Sequence, residues 1–111
     1  MKYNIVASLD FARDLKHLAK RYPSVKRDVA ALTDTLRENP VMGTSLGDDC
    51  FKIRFAITSK GRGKSGGGRL ITCVKIIDET VYLLTVYDKS EQETVTDKEL
   101  ATMLKSLGLK K

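Results

Sequence analysis

Seven basic residues and no acidic residue stand between Phe51 and Ile77 of this 111-residue chain. The run FKIRFAITSKGRGKSGGGRLITCVKII sets Lys52, Arg54, Lys60, Arg62, Lys64, Arg69 and Lys75 on apolar alternation and a glycine-rich connection. Side chains of this kind hold phosphate, arginine through a planar two-pronged fork and lysine as a compact point charge. Formal charge is +1 over residues 1–50, +7 over 51–77 and −2 over 78–111, so the total of +6 comes from one stretch. A local cationic patch speaks for a phosphate-bearing partner more than overall basicity does. The competing reading is a solvated, lysine-rich hairpin without a partner.

Other chemistry finds less support. Gly63-Lys64-Ser65 resembles the end of a Walker A loop, but Thr58 stands where its first glycine belongs. A helix must follow such a loop, whereas Arg69-Leu70-Ile71-Thr72-Cys73-Val74 reads as a strand, and the dinucleotide-like Gly61-x-Gly63-x-x-Gly66 fails on the same ground. Cys50 and Cys73 lack metal-ligand spacing and lie far from the single histidine, His17; they read as small strand residues, with a disulfide unexpected in a reducing compartment. His17 sits in a helical pattern without a serine or cysteine partner, so a catalytic triad is not expected. No metal or other cofactor is called for. No tract approaches the roughly 18 apolar residues of a membrane span, and MKYNIVASLD lacks the apolar core of a signal peptide, so a cytoplasmic protein is expected.

The elements that must position the cations follow from periodicity. At this length a single domain over residues 1–111 is expected. Tyr3 to Ser8 is a β-prone edge strand. Phe11, Leu15 and Leu18 then recur at helical spacing, with Asp10 as candidate N-cap and a stop before Tyr22-Pro23. Val25, Val29, Leu32 and Leu36 stripe a second helix that ends at Glu38-Asn39-Pro40, because a residue before proline resists helical geometry. Val41 to Asp49 reads as a loop. Phe51, Ile53, Phe55 and Ile57 alternate with Cys50, Lys52, Arg54 and Ala56, then Leu70 to Ile76 and Val81 to Asp88 complete a three-strand meander. Thr96-Asp97-Lys98-Glu99 has the form of a capping box opening a last helix, and Gly108 marks its end. The order predicts an α+β fold: an N-terminal strand and antiparallel helical hairpin on one face of a small antiparallel sheet, then a C-terminal helix. Lys52, Arg54, Arg69, Thr85, Tyr87 and Lys89 should then converge on an uncovered, electropositive sheet face.

Strand, helical hairpin, Asn39-Pro40, Phe51-Lys52-Ile53-Arg54, Lys60-Gly61-Arg62-Gly63-Lys64-Ser65-Gly66-Gly67 with Arg69, and Tyr87-Asp88-Lys89-Ser90-Glu91 together resemble the RelE/ParE toxin superfamily of type II toxin–antitoxin systems, in its HigB-like branch. The resemblance covers nearly the whole chain. It implies a toxin that enters the ribosomal decoding site and cuts translated messenger RNA, neutralised by a cognate antitoxin through which the complex binds operator DNA. It carries the catalytic strand pair onto Lys52 and Arg54, the next-strand arginine onto Arg69, and the later basic residue onto Lys89. The family's tyrosine falls near Val95, where this chain has none; Tyr87 is the nearest candidate.

Metal-independent RNA cleavage needs a base for the 2′-hydroxyl, charge stabilisation at the phosphate and an acid for the leaving oxygen. Crowded cations disfavour one another's protonation, so a clustered lysine can act as base. The expected roles are Lys52 or Lys89 as base, Arg54 and Arg69 as phosphate clamps, and Tyr87 stacking on a nucleobase or assisting proton transfer. Lys60, Arg62, Lys64 and Lys75 would bind RNA or ribosome backbone. Two alternatives stay open: a ParE-like inhibitor of DNA gyrase, and a nucleic-acid-binding module without catalysis.

Overall fold

The computed structural model describes residues 2–60, 65–92 and 94–110, with the side chain of Ser65 excepted. Arg62 and Lys64 lie outside the described residues. Strand β1 (Asn4–Ala7) leads into helix α1 (Leu9–Arg21) and helix α2 (Val25–Glu38). Strands β2 (Thr44–Gly47) and β3 (Cys50–Phe55) follow, then short 3₁₀ turns at Thr58–Lys60 and Ser65–Gly67, strand β4 (Gly68–Lys75), strand β5 (Thr80–Asp88) and helix α3 (Asp97–Ser106). The sheet order is β1-β5-β4-β3-β2. β3, β4 and β5 form the expected antiparallel meander, whereas β1 joins β5 in parallel, so the sheet is mixed.

The N-cap of α1 is Ser8 and not Asp10: its hydroxyl accepts the Phe11 N–H at 3.0 Å and donates to the Leu84 carbonyl, tying the helix start to β5. Asp10 instead serves the first turn, where a carboxylate favours the positive end of the helix dipole. Tyr22 and Asn39 leave helical geometry ahead of Pro23 and Pro40, as proline requires. Thr96 and Glu99 make both halves of the capping box on α3.

The stretch Val41 to Asp49 is more than a loop. Asp48 and Asp49 adopt φ of 52° and 64°, the left-handed pair of a two-residue hairpin turn, and fold β2 back on β3. Thr-Ser-Leu-Gly has too little β propensity to announce such a strand.

The expectation of an uncovered second sheet face needs correction. Ile53, Leu70, Val74, Val81, Leu83 and Val86 pack under α1 and α2. On the opposite face Cys50, Ile71, Cys73, Leu84 and Tyr87 pack under α3 through Leu100 and Leu104. Burying each of those two leucines stabilises the docked helix by about 2 kcal/mol. This explains why Leu70-Ile71-Thr72-Cys73-Val74 is apolar with little alternation: both its faces are covered.

One irregularity controls the aim of β5. Thr72 pairs with Leu83 and Ile71 with Thr85, leaving Leu84 as an extra, bulged residue. Tyr82 and Tyr87 therefore stand on the same face although they are five positions apart, an odd offset that regular alternation would send to opposite faces; they lie opposite Cys73 and Arg69 respectively.

Candidate functional site

Beyond the edge of α3 the second sheet face stays open. Here Thr44, Lys52, Arg54, Arg69 and Lys89 line a shallow cleft of about 270 Å³. Arg54 and Arg69 are direct cross-strand partners, and Tyr87 continues the same rung on β5. Like charges set directly opposite are destabilising. No carboxylate lines the cleft, and none of its four cations joins an ion pair among the described residues. Arg69 is only 5% exposed, and its guanidinium donates to the Gly66 and Gly68 carbonyls at 2.7 and 2.9 Å. Carbonyl dipoles thus fix the group's position without neutralising its charge. Lys52 is half-buried, whereas Arg54 and Lys89 are exposed.

The other expected site residues stand elsewhere. Tyr87 is buried beneath α3 and does not line the cleft; among the described residues its hydroxyl makes no hydrogen bond of good geometry. Burial raises its pKa, against the lowering influence of the nearby Arg69 charge. The ring forms the wall behind Arg69 and part of a separate cavity with Asp14, His17 and Thr85. Thr85 is likewise turned away, donating to the Asp14 carboxylate at 2.6 Å. Lys75 pairs with Asp49 at 3.1 Å, and that hydrogen bond raises its pKa. It stands six residues along β4 from Arg69, about 20 Å at strand rise.

Lys60 is an internal residue and not a free loop cation. Its ammonium contacts both Asp88 oxygens at 3.0 Å and lies 5.4 Å from the centre of the Tyr22 ring. Asp88 is fully buried and also accepts from the Tyr22 hydroxyl at 2.8 Å and the Ser90 hydroxyl at 2.8 Å. Burial alone would raise the Asp88 pKa; hydrogen bonds from Ser90, Lys60 and Tyr22 overcome it and bring the pKa down to about 2. A side chain at Gly67 would stand 2.6 Å from Asp88 Oδ1, so glycine is demanded there by packing. Next to it, the Lys89 N–H donates to the Gly67 carbonyl at 2.8 Å. The helical hairpin is fastened to the same corner, because the Ser24 hydroxyl accepts the Ser59 N–H and Asp28 accepts both the Thr58 N–H and hydroxyl. Sequence reading passed over Asp88 and Thr44. The available signal for Asp88 was an acidic residue closing an otherwise apolar strand beside a wholly cationic run.

The family whose description reads "RelE toxin of RelE / RelB toxin-antitoxin system" matches residues 13–109. The chain belongs to the RelE toxin family. No curated protein sequence matches it. Among solved structures, a mutant of the E. coli toxin RelE in the free state aligns with this RelE-family chain at a TM-score of 0.60 and 18% identity, covering 84% of this chain and 90% of that one. The isolated E. coli RelE toxin aligns at 0.55 and 18%, covering 95% and 98%. The toxin–antitoxin complex RelBE2 from Mycobacterium tuberculosis aligns at 0.52 and 21%, covering 79% and 99%. At such identities the structures speak for a shared RelE fold. No helix among the described residues is long and apolar enough to cross a membrane.

Proposed function

We propose that this RelE-family toxin is a ribosome-dependent endoribonuclease that cleaves translated messenger RNA by metal-independent attack of the 2′-hydroxyl. The observation that carries the reading is the cleft of Lys52, Arg54, Arg69 and Lys89, four cations from two strands and a turn with no lining carboxylate among the described residues. Arg69, fixed by two carbonyls, and Arg54 opposite it would clamp the scissile phosphate and stabilise the charge that grows there. Lys52 or Lys89 would take the 2′-hydroxyl proton. Tyr87 would act indirectly, backing Arg69, since its hydroxyl lies under α3.

The RelBE2 complex of M. tuberculosis contains an antitoxin, and we propose a cognate antitoxin for this chain too, with operator DNA bound through that partner. The Lys60–Gly67 block keeps the HigB-like branch as our reading of its nearer relationship, with Arg62 and Lys64 in contact with ribosomal RNA and the cytoplasm as its compartment. The deciding assay is message cleavage on programmed ribosomes by the parent, Lys52→Ala and Arg69→Ala. Cuts within translated codons by the parent, lost in both variants, are expected. Parental cutting by both variants would refute the assigned site. Trapped gyrase–DNA complexes without RNA cuts would replace the reading with a ParE-like one. Salt-sensitive RNA binding without any product would leave a binding module, a reading to which the covered tyrosine lends weight.

A further inference from the structure

The two cysteines are direct cross-strand partners, Cys50 on β3 and Cys73 on β4. Their rung can be classified from the backbone. The Val74 N–H donates to the Asp49 carbonyl at 2.9 Å, so the adjoining Asp49–Val74 rung carries the hydrogen bond. Cys50–Cys73 is therefore a non-hydrogen-bonded rung, the class in which Cα atoms approach to about 4.5 Å and side chains stand closest. That separation falls inside the range of roughly 4.4–6.8 Å that a disulfide spans. Both thiols point to the α3 side of the sheet and reach one acceptor, with Sγ of Cys50 at 3.4 Å and Sγ of Cys73 at 3.9 Å from the Asp48 carbonyl oxygen. Both residues are free and fully buried.

We infer that Cys50 and Cys73 are a modification site, a dithiol that closes reversibly into a cross-strand disulfide when a peroxide is the oxidant. The chemistry balances in two steps. The Cys73 thiolate attacks one peroxide oxygen, the O–O bond breaks, and hydroxide leaves to become water as Cys73 becomes a sulfenic acid. The Cys50 sulfur then attacks the Cys73 sulfur, its thiol proton is lost, the S–O bond breaks and a second water leaves. Two thiols are oxidised by two electrons and one peroxide is reduced. Cys73 is the better first nucleophile because a Cys50 thiol turned from Asp48 toward it would donate to its sulfur and lower its pKa, raising that of Cys50. Leu100 and Leu104 of α3 cover the pair, so only a small oxidant admitted by helix opening reaches it.

The bond would have a defined mechanical effect. It closes the chain from Cys50 to Cys73, which contains Lys52, Arg54, Lys60 and Arg69, and clamps β3 to β4 on the strands where Arg54 and Arg69 repel each other. The inference concerns the two thiols alone and holds whatever the cleft binds.

The test exposes the intact protein to hydrogen peroxide, then maps peptides without reduction and follows thermal unfolding. The expected product is a monomer lighter by two hydrogens, with Cys50 and Cys73 peptides joined and Tm raised by roughly 10 °C. Dithiothreitol should return both readings to their starting values. Cys73→Ser should show neither change; should it fail to fold, the peptide map of the parent decides alone. Both thiols still free to alkylation after denaturation, a disulfide-linked dimer, or sulfinic acid at either cysteine would overturn the inference.

Discussion

Two clusters of charge meet at the end of β5 and behave oppositely. Asp88 is buried and Lys60 half-buried, and the two satisfy each other, joined by Tyr22 and Ser90. One residue further along the chain, Lys89 belongs to a cleft whose cations have no counter-charge among the described residues. The first cluster uses electrostatics to hold three chain segments together. The second sustains repulsion between Arg54 and Arg69, and leaves positive potential for a phosphate to relieve. Paired charge here is architecture; unpaired charge marks the candidate site.

Breaking each cluster should therefore cost different things. The largest effect is expected in the cleft: Arg69→Ala should lower single-turnover RNA cleavage on programmed ribosomes at least about 100-fold. Next comes the buried cluster. Asp88→Ala leaves the Lys60 ammonium without its partner and should destabilise the fold by about 3 kcal/mol, read from urea unfolding.

Acid sharpens the same contrast. Asp88 titrates at about 2 folded against 3.8 as its ordinary value, so its stabilisation is complete above about pH 4 and lost as pH falls towards 2. The loss should approach about 2 kcal/mol in unfolding free energy between pH 5 and pH 2, and Asp88→Asn should flatten that part of the profile. Smaller still, Arg54→Ala removes a like-charge rung and should leave Tm unchanged or slightly higher while RNA cleavage falls. Least of all, Lys75→Ala loses only a peripheral pair with Asp49, and ribosome affinity should change less than about twofold.

Much of this frame could be read from residue types. The helical hairpin shows in its apolar stripes and in Pro23 and Pro40, and the last helix in Thr96 and Glu99. Lys52, Arg54, Arg69 and Lys89 were legible as one set because alternation places the first three on one face, and they do line one cleft. What escaped depends on long-range partners. A periodic pattern cannot reveal that α3 returns over Cys73 and Tyr87, or that Lys60 turns inward to a carboxylate 28 positions away. β2 escaped because its partner strand, and not its own composition, makes it a strand. The glycine run misled in part: Gly67 leaves room for Asp88, and Gly68 lies under the Phe55 ring, so two of its members answer to packing and not to phosphate.

The extra residue at Leu84 gives β5 something like two reading frames. Upstream of it, even-numbered residues face α3; downstream, odd-numbered ones do. Read through without the interruption, the same letters would set Val86 against Arg69 and turn the Tyr87 ring toward the helical hairpin. Asp88 would lose its place opposite Gly68, and Lys89 its bond to Gly67. Removing Leu84 would restore simple alternation and keep every downstream pairing. The end of the sheet that carries the cations is thus spelled correctly only because one leucine is counted out.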